Sequence, residues 1–195
     1  MASGVMIFAE QREGKFRKVA YELLNIGRQL ADQLGGPLSA VVVGKNVGEL
    51  AGSLGKYGAE KVYVIDGDLF ELYSTQGYAS AVVSAIKQAD PAVFLTGASA
   101  MGKDLTPRVA AKLGVGMATD CTALEVADGK LQITRPVYSG KCYIKLELEG
   151  TPQIASVRPN TYQPAEEKEG TAEVINVDAG ISADEIKAKV VRIEK

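Results

Sequence analysis

Histidine and tryptophan are absent from this 195-residue chain, and cysteine occurs only twice, at Cys121 and Cys142. Without an imidazole there is no Ser-His or Cys-His nucleophile activation, and the commonest metal ligand is missing. Two cysteines make neither a disulfide scaffold nor a zinc site. They fall in neighbouring β-like segments, where buried thiols are expected. Long apolar runs are missing as well. None approaches the ~20 residues needed to span a bilayer, so membrane insertion is not expected. The N-terminus MASGVMIFAEQREGK lacks a charged region followed by a long apolar one, so no targeting segment is expected and a cytoplasmic location is. Excess charge of either sign is also lacking. The formal net charge is −2 and there is no long basic run, which removes the electrostatic footprint of a nucleic-acid binder and of a lipid-surface helix.

What remains is an ordinary globular composition, with 46% hydrophobic and 24% charged residues, enough for a substantial core. The first half alternates strand and helix patterns. VMIFAE (5–10) is apolar, and 16–34 places Val19, Leu23, Ile26, Leu30 and Leu34 at helical spacing before Gly35-Gly36 stops the run. LSAVVVG, KVYVID and AVFLTG are further strands, separated by the helical stretches GELAGSLGKYG and GYASAVVSAIKQAD. Near-continuous apolar strands between helices of this size predict a parallel sheet covered on both faces. From Gly116 the rhythm changes: 121–126, 131–137 and 143–148 are β-like and separated by the turn signals ADG, YSGK and EGTP, with 154–158 a further strand. The expected fold class is α/β, a doubly wound and mostly parallel sheet with an antiparallel β elaboration in the second half, over 1–160. After Pro159 the chain becomes polar and acidic, an extended surface segment over 161–195. Within it AEVINVD and AKVVRI are read as edge strands or as a tail.

The stretch GASAMGKD (97–104) is one residue from a Walker A loop, G-x-x-x-x-G-K-[ST]. It follows an apolar strand and precedes the helical pattern DLTPRVAAKLG. Asp104 is expected as the N-cap, with Pro107 in the first turn and Gly114 as the C-cap. Free N–H groups at such a helix start suit an anion, making Gly97, Gly102 and Lys103 the candidate anion-site residues. Asp104 opposes this, since a carboxylate beside a phosphate costs about 4 kcal/mol per charge pair at ~4 Å in an intermediate dielectric. The plainer expectation is a tight turn permitted by two glycines, with Lys103 solvated. KVYVID as a Walker B is no more than an apolar strand ending in Asp. The first strand–helix loop, EQREGK, lacks G-x-G-x-x-G, so no dinucleotide fingerprint stands there. Glu10 and Arg12 lie at the end of a central strand, where α/β proteins bind ligands, although a surface ion pair is the simpler expectation. RPVYSGK (135–141) reads as a hairpin. Exposed arginine and tyrosine are favoured at interface centres, which nominates Arg135, Tyr138, Lys141, Arg158 and Tyr162 as partner contacts.

The segments FAEQREGKFRKVAYELLNIGRQLADQLGG, YGAEKVYVIDGD, GASAMGKDLTPRVAAKLGVGMATDC and TRPVYSGK, in that order, resemble the N-terminal domain of the electron-transfer flavoprotein α subunit across nearly the whole chain. GKDLTPRVAAKL and TRPVYSGK are the most specific of them. The resemblance implies an adenine-nucleotide α-hydrolase-like fold and pairing with a β subunit in a heterodimer that carries FAD. Electrons would pass from flavoprotein dehydrogenases toward a quinone reductase. It further implies a nucleotide in the β subunit and none in the α domain, so that 97–103 is the counterpart of a nucleotide loop kept for structure. Family α subunits continue into a domain with most of the FAD contacts. Residues 161–195 are therefore expected to lead toward a C-terminal domain absent from this chain, a fragment or a short natural form. No flavin contact carries over to these residues. The expected role is a non-catalytic scaffold of an electron carrier. A nucleotide-binding module using Gly97–Lys103 is the alternative, and an ATP-using enzyme of this fold the least supported.

Overall fold

A computed structural model describes residues 2–194 and contains a seven-stranded sheet, a three-stranded sheet and four α-helices. The large sheet is built from β1 (Val5–Phe8), β4 (Leu38–Gly44), β5 (Lys61–Asp66), β6 (Val93–Gly97), β7 (Met117–Cys121), β11 (Gln153–Val157) and β12 (Glu173–Asn176). Their order is β12-β5-β4-β1-β6-β11-β7 and every pairing is parallel. Side chains alternate across β1: Val5 and Ile7 face one layer, Met6 and Phe8 the other. All four are buried, because each face is covered. That double cover is why the strand reads as an unbroken apolar run.

The helix α1 (Lys18–Leu34) packs on the first face through Val19, Leu23, Ile26 and Leu30, with the short α2 (Gly48–Gly52) beside it. On the opposite face lie α3 (Thr75–Ala89) and α4 (Ala100–Leu113), through residues such as Val82, Ile86, Leu105 and Val109. Each such apolar side chain withdrawn from water contributes about 1.5–3 kcal/mol before entropy is charged against it. The two-stranded ribbon β2 (Gln11–Arg12) and β3 (Lys15–Phe16) sits between β1 and α1.

The antiparallel sheet is β8 (Ala123–Ala127), β9 (Lys130–Val137) and β10 (Cys142–Glu147), in the order β10-β9-β8. Leu124, Leu131 and Ile133 carry β8 and β9 into the core on the α1 side. Strand β10 has no such cover and is exposed along nearly its whole length. Here one expectation fails: Cys121 is buried and its thiol pushed up to about 12 by burial, whereas Cys142, which opens β10, is exposed.

A second correction concerns α4. It starts at Ala100, not after Asp104, and its N-cap is Ser99, whose hydroxyl accepts the N–H of Gly102 at 3.0 Å. Asp104 and Pro107 are therefore inside the helix. Proline has no N–H to offer the carbonyl four residues back, so the Lys103 carbonyl lacks its helical donor. The acidic segment after Pro159 has no helix or strand until β12, yet it is tied down. Ala165 N–H bonds the Tyr21 carbonyl, Asn25 bonds the Gln163 carbonyl, and Lys56 pairs with Glu167 at 3.0 Å. Strand β12 then becomes the sheet edge beside β5, while AKVVRI forms no strand.

Candidate functional site

Successive connections leave β1 in opposite directions, to β4 on one side and later to β6 on the other, so the crevice of this sheet opens at the carboxyl ends of β1 and β6. Glu10 follows β1 and Ser99 follows β6. Glu10 is only 8% exposed, and its carboxylate accepts a very short hydrogen bond from the Ser99 hydroxyl. It makes no ion pair with Arg12 among the described residues, contrary to the simpler expectation. Ser99 thus bridges an internal carboxylate to the amino end of α4, where the helix dipole favours negative charge.

Between β6 and α4 stand only Ala98 and Ser99. A phosphate loop needs a longer arc of free N–H groups, and here Gly102 and Lys103 already belong to the first turn of the helix. Both glycines are required by close approach. A Cβ on Gly102 would lie 1.8 Å from the Gly97 carbonyl oxygen, and one on Gly97 would lie 2.6 Å from the Val19 side chain. Asp104 accepts hydrogen bonds from Tyr73 Oη at 2.7 Å and Thr75 Oγ1 at 2.5 Å. The Thr75 and Tyr73 hydroxyls hold its carboxyl below the ordinary aspartate value, while burial, then Asp104, raise the Tyr73 phenol. It links α4 to the start of α3. The aspartate that ends KVYVID is equally occupied: Asp66 accepts the Asn46 and Val47 N–H groups at 2.7 and 2.8 Å.

A second constellation lies at the carboxyl ends of β7 and β11. A cavity of about 490 Å³ is lined by Asp120, Arg158 and the β9–β10 turn from Arg135 to Gly140. Arg158 grips Asp120 with two hydrogen bonds, Nε at 3.0 Å and an Nη at 2.6 Å. That grip, helped by the charges of Lys103 and Arg135, keeps the Asp120 carboxyl below its usual range, and the Asp120 carboxylate in turn raises Arg158. One carboxylate therefore faces three cations. The Arg135 Nε is buried and has no acceptor. Asp120, Tyr138 and Ser139 all adopt positive φ, at 56°, 51° and 56°. Such backbone strain gathers where neighbouring structure fixes a surface for use. Tyr138 is 80% exposed, and Tyr143 and Ile144 on β10 are 66% and 40% exposed.

Arg135, Tyr138 and Arg158, all nominated as partner contacts, thus line one cavity, with Lys141 exposed in the same turn, while Lys103 is exposed on α4 and outside that lining. Tyr162 does not join them. Its hydroxyl accepts the Leu124 N–H at 2.8 Å and its ring packs on the α1-side core. Sequence reasoning missed Asp120 and Tyr143, and nothing in their local sequence marks them. It also passed over Ser99, although a serine three residues before Gly102 is a legible cap. Among the described residues no group of three or more acidic, cysteine or histidine side chains could hold a metal ion. Nor, among those residues, is any helix long and apolar enough to cross a membrane.

Fold and site together define a doubly wound α/β domain of the adenine-nucleotide α-hydrolase-like class, with the N-terminus of α4 closed by its own side chains. Within that class the chain belongs to the electron transfer flavoprotein family, whose domain model matches residues 5–182. It is 39% identical over 194 residues to electron transfer flavoprotein subunit alpha of Thermoanaerobacterium thermosaccharolyticum. Against the subunit alpha of Megasphaera elsdenii it is 40% identical over 196 residues. A protein of Anaerotignum propionicum named acryloyl-CoA reductase electron transfer subunit beta is 32% identical over 219 residues. These alignments cover 98% of this chain but 59%, 58% and 60% of the respective relatives. The chain accordingly spans less than two thirds of their length, and it fits the N-terminal domain of an alpha subunit.

Proposed function

We propose that this chain is the non-catalytic scaffold domain of an electron-transfer flavoprotein α subunit. It pairs with a β subunit, and the FAD of the complex relays electrons from flavoprotein dehydrogenases to a quinone reductase in the cytoplasm. Residues 161–195 lead on to a further, flavin-holding domain, and the chain alone retains no flavin. The observation that carries this reading is the basic cavity beside β10. A guanidinium with an unanswered buried N–H, two tyrosines and an uncovered strand form one continuous surface. An exposed edge strand offers unpaired backbone groups to a partner, and arginine and tyrosine are the side chains that concentrate interface energy. Arg135, Tyr138, Lys141 and Arg158 are the contacts. Gly97 and Gly102 serve the joint between β6 and α4, and Tyr162 holds the following segment against β8.

The test is purification of the chain from its native cells, or co-expression with a β-type subunit, followed by the visible spectrum and partner identification. Flavin bands with a β-type polypeptide in material from native cells, or capture of a β-type polypeptide by the colourless chain on co-expression, support the reading. Arg135→Ala combined with Tyr143→Ala is expected to weaken the pairing about tenfold or more. A colourless protein that captures no β-type subunit overturns it.

A further inference from the structure

Strand β10 is the outer strand of the three-stranded sheet and pairs with β9 without a bulge, from Cys142 opposite Val137 to Glu147 opposite Gln132. Its other edge faces solvent, and every residue of the strand except Leu146 is exposed. Such an edge is a template for another strand, and proteins blunt it with a bulge, a proline or a very short strand. β10 has six residues and no proline. Alternation sorts its side chains into two rows. Leu146 packs on the α1-side core, and Ile144 and Cys142 continue its row outward. Tyr143, Lys145 and Glu147 form the other row, with Lys141 in line before them. The charges in that row have only exposed, long-range partners within the chain: Lys145 stands 3.7 Å from Glu125, and Glu147 stands 3.7 Å from Lys130. Pairs of that kind contribute little.

We propose that β10 is a self-pairing edge, to which a second copy of this chain adds its own β10 antiparallel, joining two three-stranded sheets into one. A two-fold axis perpendicular to the sheet opposes only residues of the same row, and charge then selects the register. Centred on Tyr143, the axis sets Lys141 against Lys145; centred on Lys145, it sets that lysine against its own copy. Like charges directly opposite are destabilising. Centred on Leu146, it leaves only Lys145 to Glu147 paired within the strand. Centred on Ile144, it avoids all three faults. Ile144 then faces Ile144 and Cys142 faces Leu146, so one row is apolar throughout. In the other row Lys141 faces Glu147 and Tyr143 faces Lys145, each pair occurring twice by symmetry. The self-pairing does not depend on the scaffold role. Where that role holds, the same strand serves the β-type subunit, and the two partners exclude one another.

Sedimentation velocity of the whole chain, from about 1 to about 200 μM, tests it. The expected result is a reversible monomer–dimer equilibrium with Kd of about 10–100 μM, in keeping with a small contact. Glu147→Lys sets Lys141 against a lysine and weakens the dimer about tenfold; adding Lys141→Glu to the same chain restores pairing to within about threefold of the parent. In a Cys142→Ser background, Ile144→Cys places two thiols opposite each other and gives a covalent dimer on mild oxidation, whereas Lys145→Cys crosslinks far more slowly. The substituted positions are all exposed, and circular dichroism checks each fold. A parent chain that is monomeric at about 200 μM, a doubly reversed variant that pairs no better than Glu147→Lys, or Lys145→Cys crosslinking as fast as Ile144→Cys would each overturn the proposal. A dimer that captures no β-type subunit supports the self-pairing and overturns the scaffold reading instead.

Discussion

Replacing Gly102 by alanine sets two effects against each other, and the structure decides between them. Alanine is the better helix former by about 1 kcal/mol, and Gly102 lies in the first turn of α4. The added methyl, however, would stand 1.8 Å from the Gly97 carbonyl oxygen, a backbone atom at the end of a central, fully buried strand. Relief requires α4 to move by more than about an ångström, since neither side can swing away as a side chain would. Overpacking of this kind costs about 1–3 kcal/mol or more. The shift also strains the Ser99 cap at 3.0 Å and the buried Thr106 hydroxyl, which lies 2.6 Å from the Gly102 carbonyl and 2.7 Å from Thr96 Oγ1. Each of those bonds is worth about 1 kcal/mol. The net expectation is a loss of roughly 2–4 kcal/mol, which lowers Tm by about 5–15 °C in a chain of this size. Urea and thermal unfolding followed by circular dichroism measure it. Gly52→Ala is the control: Gly52 has helical φ and ψ and nothing within 4 Å of its Cβ position, so the same change there should be neutral or stabilising by about 0.5–1 kcal/mol. A Gly102→Ala protein as stable as the parent would refute the claim that this glycine exists for the strand–helix contact.

Other substitutions probe the remaining joints. Ser99→Ala removes the α4 cap and leaves the buried Glu10 carboxylate without its hydroxyl donor, with an expected loss of about 2–4 kcal/mol in urea unfolding. Asp104→Asn weakens the bonds to Tyr73 and Thr75; the site is exposed, so a loss of only about 1 kcal/mol at neutral pH is expected. Because the folded-state pKa of Asp104 is depressed, its contribution is present above the unfolded value and fades as pH falls through the folded one. The Asn variant should therefore lose less stability than the parent on acidification below about pH 4. Ile186 is buried against Gly77, while Gln76 holds the backbone at Glu185 and Lys187. Ile186→Ala should release this segment locally and speed tryptic cleavage at Lys187 and Lys189, with global stability changed by less than about 1 kcal/mol.

The two constellations at the crevice rim divide the functional question. Around Glu10 and Ser99 the chain satisfies the start of α4 internally. Around Arg135 a buried guanidinium N–H is left without an acceptor.

Much of this was legible in residue order alone. Strands buried on both faces must be apolar at every position, so LSAVVVG and AVFLTG announced a parallel sheet. The heptad-like stripe of α1 and the glycines after it set that helix, and the loss of apolar residues after Pro159 set where regular structure thins. These are local matters, since periodicity and turn chemistry act over a few neighbouring residues. The meaning of GASAMGKD was not local. Ser99 and Asp104 are both good caps by type, and the choice fell to Ser99 because Glu10, 89 positions away in sequence, receives its hydroxyl, while Tyr73 and Thr75 take up Asp104. Nor does any window of sequence place Asp120, Arg135 and Arg158 around one cavity, or separate the exposed Cys142 from the buried Cys121. Those outcomes depend on which strand ends the parallel topology brings side by side, and electrostatics and close packing act across that distance in space with no regard for distance along the chain.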